Sequence, residues 1–336
     1  MTIFAGESTV GRDRHGPQAN ATRRRRFWAG TAAVGVGIGA ACLQAFATVD
    51  TQPLYAGHPS VGDVTIAIAV AAALYAWFDL RSTRAALATV ERLHRVVDNE
   101  LELAAEVQRR LLPKVPHARD GIHYAARLHP AEEIGGDFYD FIPLADGGLL
   151  VLVGDVSGKG IPAALLQAST LALFRTYAHE TTDPGELVRL VSREIFGENQ
   201  GAQYVTCLAV RLHGHTVTYV NAGHPVGFII GAAGPRLLDA GGLPVGLFAE
   251  TTYQCGTVTL EVGDTAVMVT DGITEAVEPG ALSAADYLMA RLRGGAGRLT
   301  ADRACDELME LAEHAPGPIG VSDWYDDKTV VAFHIE

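Results

Sequence analysis

Gly154-Asp155-Val156-Ser157-Gly158-Lys159-Gly160 follows the apolar run Leu149-Leu150-Val151-Leu152-Val153 and opens a helical pattern, which puts Asp155 at the end of a buried strand. A strand that delivers an acid into a glycine-rich turn exposes a hard oxygen donor where the backbone can approach a ligand closely. That suits a metal ion or a phosphate. It equally suits an ordinary strand-to-helix turn with an N-capping Asp, so the surrounding chain has to decide.

From about residue 120 onward the texture is short β-like runs bounded by turns. Strands are predicted over 123–128, 138–143, 149–155, 204–213, 216–221, 226–230, 257–261, 266–270 and 329–335. Asp146-Gly147-Gly148 closes a hairpin between two of them. Helical periodicity covers 162–179, 184–196 with Asp183 as N-cap, 283–292 and 301–314. Helices in pairs, separated by groups of hairpin-like strands, imply an α+β fold with antiparallel sheets.

Four acidic sites share the signature of the opening turn, an Asp at a strand edge beside Gly or another Asp. They are Gly135-Gly136-Asp137, Gly154-Asp155, Thr270-Asp271-Gly272 and Asp326-Asp327-Lys328-Thr329. Any one alone reads as a turn or cap. If the strands pack as sheets, the four can converge on one rim, where carboxylates about 4 Å apart repel by roughly 4 kcal/mol per pair at an effective dielectric near 20. Divalent cations resolve that conflict, and an all-oxygen donor set favours Mg²⁺ or Mn²⁺ over Zn²⁺.

Five stretches then appear in a recognisable order: Glu133-Ile134-Gly135-Gly136-Asp137-Phe138-Tyr139-Asp140, residues Gly154 to Ala164, Asn221-Ala222-Gly223-His224-Pro225, residues Thr270 to Glu275, and residues Asp326 to Val331. In this the chain resembles the bacterial metal-dependent serine/threonine phosphatases of the SpoIIE/RsbU type (PPM type). Residues Ala104 to Pro113 look like the helix that precedes the catalytic domain in that family. The resemblance covers about residues 100 to 336. It implies two antiparallel sheets packed as a sandwich, flanked by helices, with two Mn²⁺ or Mg²⁺ ions on one rim.

Carried onto this chain, the resemblance makes Asp155 the ligand shared by both ions, with the Val156 carbonyl as a further donor. Asp271 and Asp326 hold one ion, Asp326 being preferred to Asp327, and Asp137 serves the other side. The chain departs from many eukaryotic relatives, which carry a His two residues after the shared Asp; here Ser157 stands. Lys159 is the nearest cation and could meet a substrate phosphate, although a solvated turn lysine fits equally. His224, between Gly and Pro, reads as structural.

The rest of the chain suggests how such a domain is mounted. Net charge is −13, yet residues 1–26 hold six Arg against two acids, so the body is strongly acidic and nucleic acid is disfavoured as a partner. Cys42, Cys207, Cys255 and Cys305 are scattered, which argues against a zinc site or disulfide framework. After the basic N-terminus, the uncharged run 27–48 is long enough to cross a bilayer. A second run, within 61–80, ends in Tyr75, Trp77 and Phe78 beside Arg81 and Arg84, the pattern of a membrane interface.

The expectation is a transmembrane hairpin with both termini cytoplasmic, in the inner (plasma) membrane. A cleaved signal peptide in place of the first arm is the alternative. Residues 81–115 carry a seven-residue apolar repeat at Val90, Val97, Ala104 and Leu111, with Leu93 and Val107 between, which suits a dimerising linker helix ahead of a catalytic domain over 116–336. A helix lying on its own domain is the other reading.

The leading function is a membrane-anchored protein serine/threonine phosphatase. By resemblance its substrate is a phosphorylated regulator, typically a STAS-type anti-anti-sigma factor; the seven-residue repeat makes a homodimer the expectation. Two alternatives come from other classes: a pseudophosphatase that only binds a phosphoprotein, and a metal-dependent nucleotidyl cyclase or diesterase.

Overall fold

No Gly or Pro occurs between Asp63 and Leu112, and this stretch forms one uninterrupted helix, α1 (Val61–Leu111), ended by Pro113. The computed structural model describes residues 61–115, 118, 121–225, 227–277, 282–295, 298–315 and 326–336. The expected first membrane arm, 27–48, lies outside them. The chain divides into two compact units, Met1–Arg95 and Val96–Glu336.

In the first unit, the described residues belong to α1. Ile66, Val70, Leu74, Trp77 and Phe78 are all exposed, and the Arg81 guanidinium lies 5.3 Å from the Trp77 ring centroid. Among the described residues, α1 is the one helix long and apolar enough to cross a membrane. The apolar run and the heptad-bearing stretch, read from sequence as separate segments, are thus parts of a single helix.

The second unit is a β-sandwich between two helical layers. One sheet has the order β1-β11-β10-β6-β7, formed by β1 (Ile122–His129), β11 (Lys328–Ile335), β10 (Thr265–Val269), β6 (Gly227–Ile230) and β7 (Arg236–Leu238). The other runs β2-β3-β4-β5-β8, from β2 (Phe138–Pro143), β3 (Leu149–Val156), β4 (Val205–His213), β5 (Thr216–Ala222) and β8 (Gly241–Gly242), with β9 (Gly256–Thr259) pairing β5. Among the named strands pairing is antiparallel except for the two-residue parallel contact of β5 with β8, beside which Cys207 and Gly223 form an isolated parallel bridge.

Alternation within the strands builds the central layer. Phe141, Val151, Val153, Leu208 and Val210 from one sheet meet Ile229, Met268, Val331 and Phe333 from the other. The opposite face of the β2-β3-β4 sheet packs on α2 (Ile161–Tyr177) and α3 (Pro184–Asn199) through Phe138, Leu152, Phe174, Val188 and Ile195. The opposite face of the other sheet packs on α5 (Ala284–Gly294) and α6 (Ala301–His314) through Phe228, Val267, Leu288, Cys305 and Leu308. Asp183 caps α3 by accepting from the Gly185 amide at 2.8 Å. The one-turn helix α4 (Asp271–Thr274), continuing directly from β10, was not expected from sequence, nor were β7 and β8.

Candidate active site

Strand ends from both sheets meet at one rim. β3 delivers Asp155, the end of β10 delivers Asp271, and the entry to β11 delivers Asp326 and Asp327. A cleft of about 260 Å³ opens between them, and Gly135, Gly136, Asp155, Val156, Asp271 and Asp326 are among its lining residues. Asp137 does not line it; it is buried alongside, at 3% exposure.

Glycine chemistry explains how backbone reaches this rim. A Cβ on Gly136 would stand 2.9 Å from Asp155 Oδ1 and 2.9 Å from the Val156 carbonyl oxygen. Both oxygens therefore border the space that a side chain at 136 would fill. Gly158 and Gly160 carry φ of 99° and 75°, a left-handed conformation that lets the chain turn from β3 into α2.

Ser157 has a defined place in that turn. Its hydroxyl accepts from the Tyr204 amide at 2.9 Å, and its own amide donates to the Tyr204 carbonyl at 2.9 Å. It extends the β3–β4 ladder by one residue. Lys159 Nζ lies 3.7 Å from Asp326 Oδ1 on the exposed side of the cleft.

Asp137 is fixed from below. The Thr270 and Thr329 hydroxyls donate to its Oδ2 at 2.7 and 2.6 Å, and the Thr329 amide donates to the Thr270 hydroxyl at 3.0 Å. The backbone on both sides of Asp137 is held too. The Gln108 carboxamide accepts from the Gly135 amide at 3.2 Å, donates to the Gly135 carbonyl at 2.6 Å and donates to Gln167 Oε1 at 2.7 Å. Gln167 in turn donates to the Asp137 carbonyl at 2.6 Å.

The electrostatics are those of a carboxylate cluster awaiting positive charge. Burial, then the charges of Asp271, Asp326 and Asp327, pushes Asp155 up to about 8. Burial, then Asp326 and Glu275, raises Asp271 to about 6. Asp137 is raised well above the carboxylate range by burial and by Asp155 and Asp327, against the two threonine hydrogen bonds. Among the described residues, no three acidic, His or Cys side chains stand at metal-ligand spacing. The donor chemistry fits hard divalent ions: oxygen-only ligands, carboxylates that resist ionising beside one another, and a glycine-lined space against Asp155 Oδ1 and the Val156 carbonyl.

His224 takes no part in the cleft lining. Burial lowers its imidazole to about 3, its Nδ1 pairs with the Thr206 hydroxyl at 2.9 Å, and its amide donates to Asn221 Oδ1 at 2.8 Å. The Asn221-to-Pro225 motif thus ends β5 with a buried, structural His224. Sequence reasoning missed Gln108, Gln167 and Thr329. The resemblance of residues 104–113 to a family helix was the available signal for the first.

The Stage II sporulation protein E (SpoIIE) family model matches residues 145–336. The phosphoserine phosphatase RsbU of Bacillus subtilis is 29% identical over 192 residues, 56% of this chain and 57% of that protein. The phosphoserine phosphatase RsbP of the same organism is 25% identical over 183 residues, 52% of this chain and 45% of that one. The chain thus spans about half the length of these curated relatives.

Among solved structures, the SiaA-PP2C domain of Pseudomonas aeruginosa superposes with a TM-score of 0.59 at 21% identity, covering 72% of this chain and 98% of that domain. The RsbU and RsbW domains of a Mycobacterium tuberculosis protein give 0.55 at 26% identity, covering 67% and 62%. The sandwich therefore has the PP2C fold, and a family match over more than half of the chain, taking in Asp155, Asp271 and the entry to β11 with Asp326 and Asp327, shows that the chain belongs to the SpoIIE family.

Proposed function

We propose that the chain is a metal-dependent protein serine/threonine phosphatase that hydrolyses a phosphoserine or phosphothreonine on a regulatory protein. The observation that carries this reading is the meeting of Asp155, Asp271 and Asp326, from three strand ends of two sheets, in one cleft beside the Val156 carbonyl. Asp155, Asp271, Asp326 and the Val156 carbonyl would hold two Mn²⁺ or Mg²⁺ ions, with Asp137 behind them. When bound, the ions supply an acidified water as nucleophile and neutralise charge on the phosphoryl oxygens.

The chain's own part is positioning. Asp155 is central enough to be shared, and its raised proton affinity shows how strongly this position calls for positive charge. Gly136 leaves room for the ions and the phosphoryl group. Lys159, at the open side, is placed to meet the phosphate. Ser157, whose hydroxyl accepts from the Tyr204 amide, stands where many relatives carry a His.

We further propose that the substrate is a STAS-type anti-anti-sigma factor, which is what the family resemblance implies; the names of the relatives support the coarser reading of a phosphoserine phosphatase. On this reading, residues 1–26 are a basic cytoplasmic segment, 27–48 and 61–80 form a membrane hairpin, 81–115 a dimerising linker and 116–336 the catalytic domain.

The direct test is phosphate release from phosphorylated STAS proteins of the same organism by the full chain in detergent. With Mn²⁺ the parent should release phosphate, while Asp155→Ala and chelated parent should fall by about 10²–10³-fold, as expected when charge stabilisation at the reacting group is removed. Activity that persists in chelator would overturn the proposal.

A further inference from the structure

Asp326 and Asp327 are adjacent acids at the entry to β11 and both border the cleft, yet their carboxylates are engaged differently. Asp326 is half-buried, with Lys159 Nζ 3.7 Å away. Asp327 is buried, at 7% exposure, and both its carboxylate oxygens are occupied by backbone amides. Oδ1 accepts from Ala131 N at 2.7 Å; Oδ2 accepts from Gly136 N at 2.6 Å and Asp137 N at 3.3 Å.

The fit is close on every side. A Cβ on Gly135 would be driven into Asp327 Oδ2, and a Cβ on Gly272 would be driven into the Asp327 carbonyl oxygen. Two of the other acidic motifs are thus packed on one residue: both glycines of Gly135-Gly136-Asp137 and the glycine of Asp271-Gly272 border Asp327 or bond to it. A buried carboxylate is costly unless charge-assisted hydrogen bonds satisfy it, and here the three amides supply them.

We infer that Asp327 is a positioning residue, whose carboxylate clamps the 131–137 loop and so fixes Gly136 and Asp137 against the cleft, while its neighbour Asp326 is the ligand. This rests on the metal-dependent reading of the cleft. Asn is no substitute. Both oxygens face N–H donors, so an amide group at 327 must turn its NH₂ toward Ala131 N or toward the pair at 136 and 137. At 326, by contrast, Asn keeps the shape and removes one charge from a repelling cluster.

The test compares full-length parent, Asp326→Asn, Asp327→Asn and Gly135→Ala in detergent, by melting temperature in chelator and by Mn²⁺ titration. Asp327→Asn should melt several degrees lower without metal and bind Mn²⁺ at least about tenfold more weakly, the usual scale for losing a group that orients a ligand. Gly135→Ala, which pushes on the same carboxylate without removing it, should weaken Mn²⁺ binding in the same direction and answers the question if Asp327→Asn does not fold. Asp326→Asn should also lose Mn²⁺ affinity, but its metal-free melting temperature should stay level or rise.

Two results overturn the inference. In one, Asp327→Asn melts lower but keeps the parent's Mn²⁺ affinity, a purely structural role. In the other, it matches Asp326→Asn in both readouts, which makes it a ligand. Failure of the metal reading looks different: the parent itself then binds no Mn²⁺, and the contrast in melting temperature between the 326 and 327 variants remains to show whether the clamp exists.

Discussion

Asp155 shows what a single position can carry. Its carboxyl is raised to about 8 from an ordinary value near 3.8, by burial first and then by Asp271, Asp326 and Asp327. In the metal-free chain, the folded state therefore holds a proton between those two values that the unfolded state has released. With more protons bound in the native state, stability falls as pH rises across that window. Asp271, raised to about 6, adds to the fall over the lower part. Melting curves in chelator should decline steadily from pH 5 to pH 8. Saturating Mn²⁺ should flatten the decline, and Asp155→Asn should remove much of it. A chelated parent whose melting temperature is level or rises with pH over this range would contradict the carboxylate coupling.

The sequence already marked Asp155 as the end of a buried strand in a glycine turn. It preferred Asp326 to Asp327 by resemblance alone, because adjacent residues at a strand entry differ only in what packs against them. That packing comes from Ala131, Gly135 and Gly136, nearly 200 positions away in the chain. Ser157 was equally undecidable until its pairing with Tyr204 was seen.

At the scale of elements, the strands were legible because each alternates or runs apolar between clear turn residues; β2 and α6 occur at the expected bounds. The elements that escaped were β7, β8 and α4, of three, two and four residues. Such lengths fall below any periodicity. The last turns of α1 carry a further lesson. Its apolar repeat was readable, but the residue that touches the candidate site is Gln108, polar and off the seam.

Removing the three hydrogen bonds of Gln108 in Gln108→Ala should cost about 1–2 kcal/mol of stability, since each part-buried bond contributes about 1 kcal/mol or less. It should also lower Mn²⁺-dependent phosphate release by about tenfold, as expected for a group that holds ligand-bearing backbone. Urea denaturation and phosphate release measure the two effects. An unchanged rate would mean that the Gly135 loop holds its shape without the helix.

At the largest scale, the four layers of α/β/β/α in the second unit follow from strands with two buried faces: one face fills the space between sheets, the other seats a helical layer. Apolar exposure on α1 is the remaining large-scale feature, with Val90, Leu93, Val97 and Val107 at 64, 62, 51 and 60%. On the proposal that this seam pairs two copies, Leu93→Asp with Val97→Asp should halve the protein mass found by light scattering in detergent. A parent that is already monomeric would contradict it.

The central claim is that Asp155 is the carboxylate shared by two ions, and electron paramagnetic resonance of Mn²⁺ tests it most directly. The parent should take up two equivalents and show the exchange-coupled spectrum of a close pair. Asp155→Asn should lose that coupling and retain at most isolated, weakly held Mn²⁺. One equivalent with an uncoupled spectrum in the parent, or a coupled pair that survives in Asp155→Asn, would contradict the account.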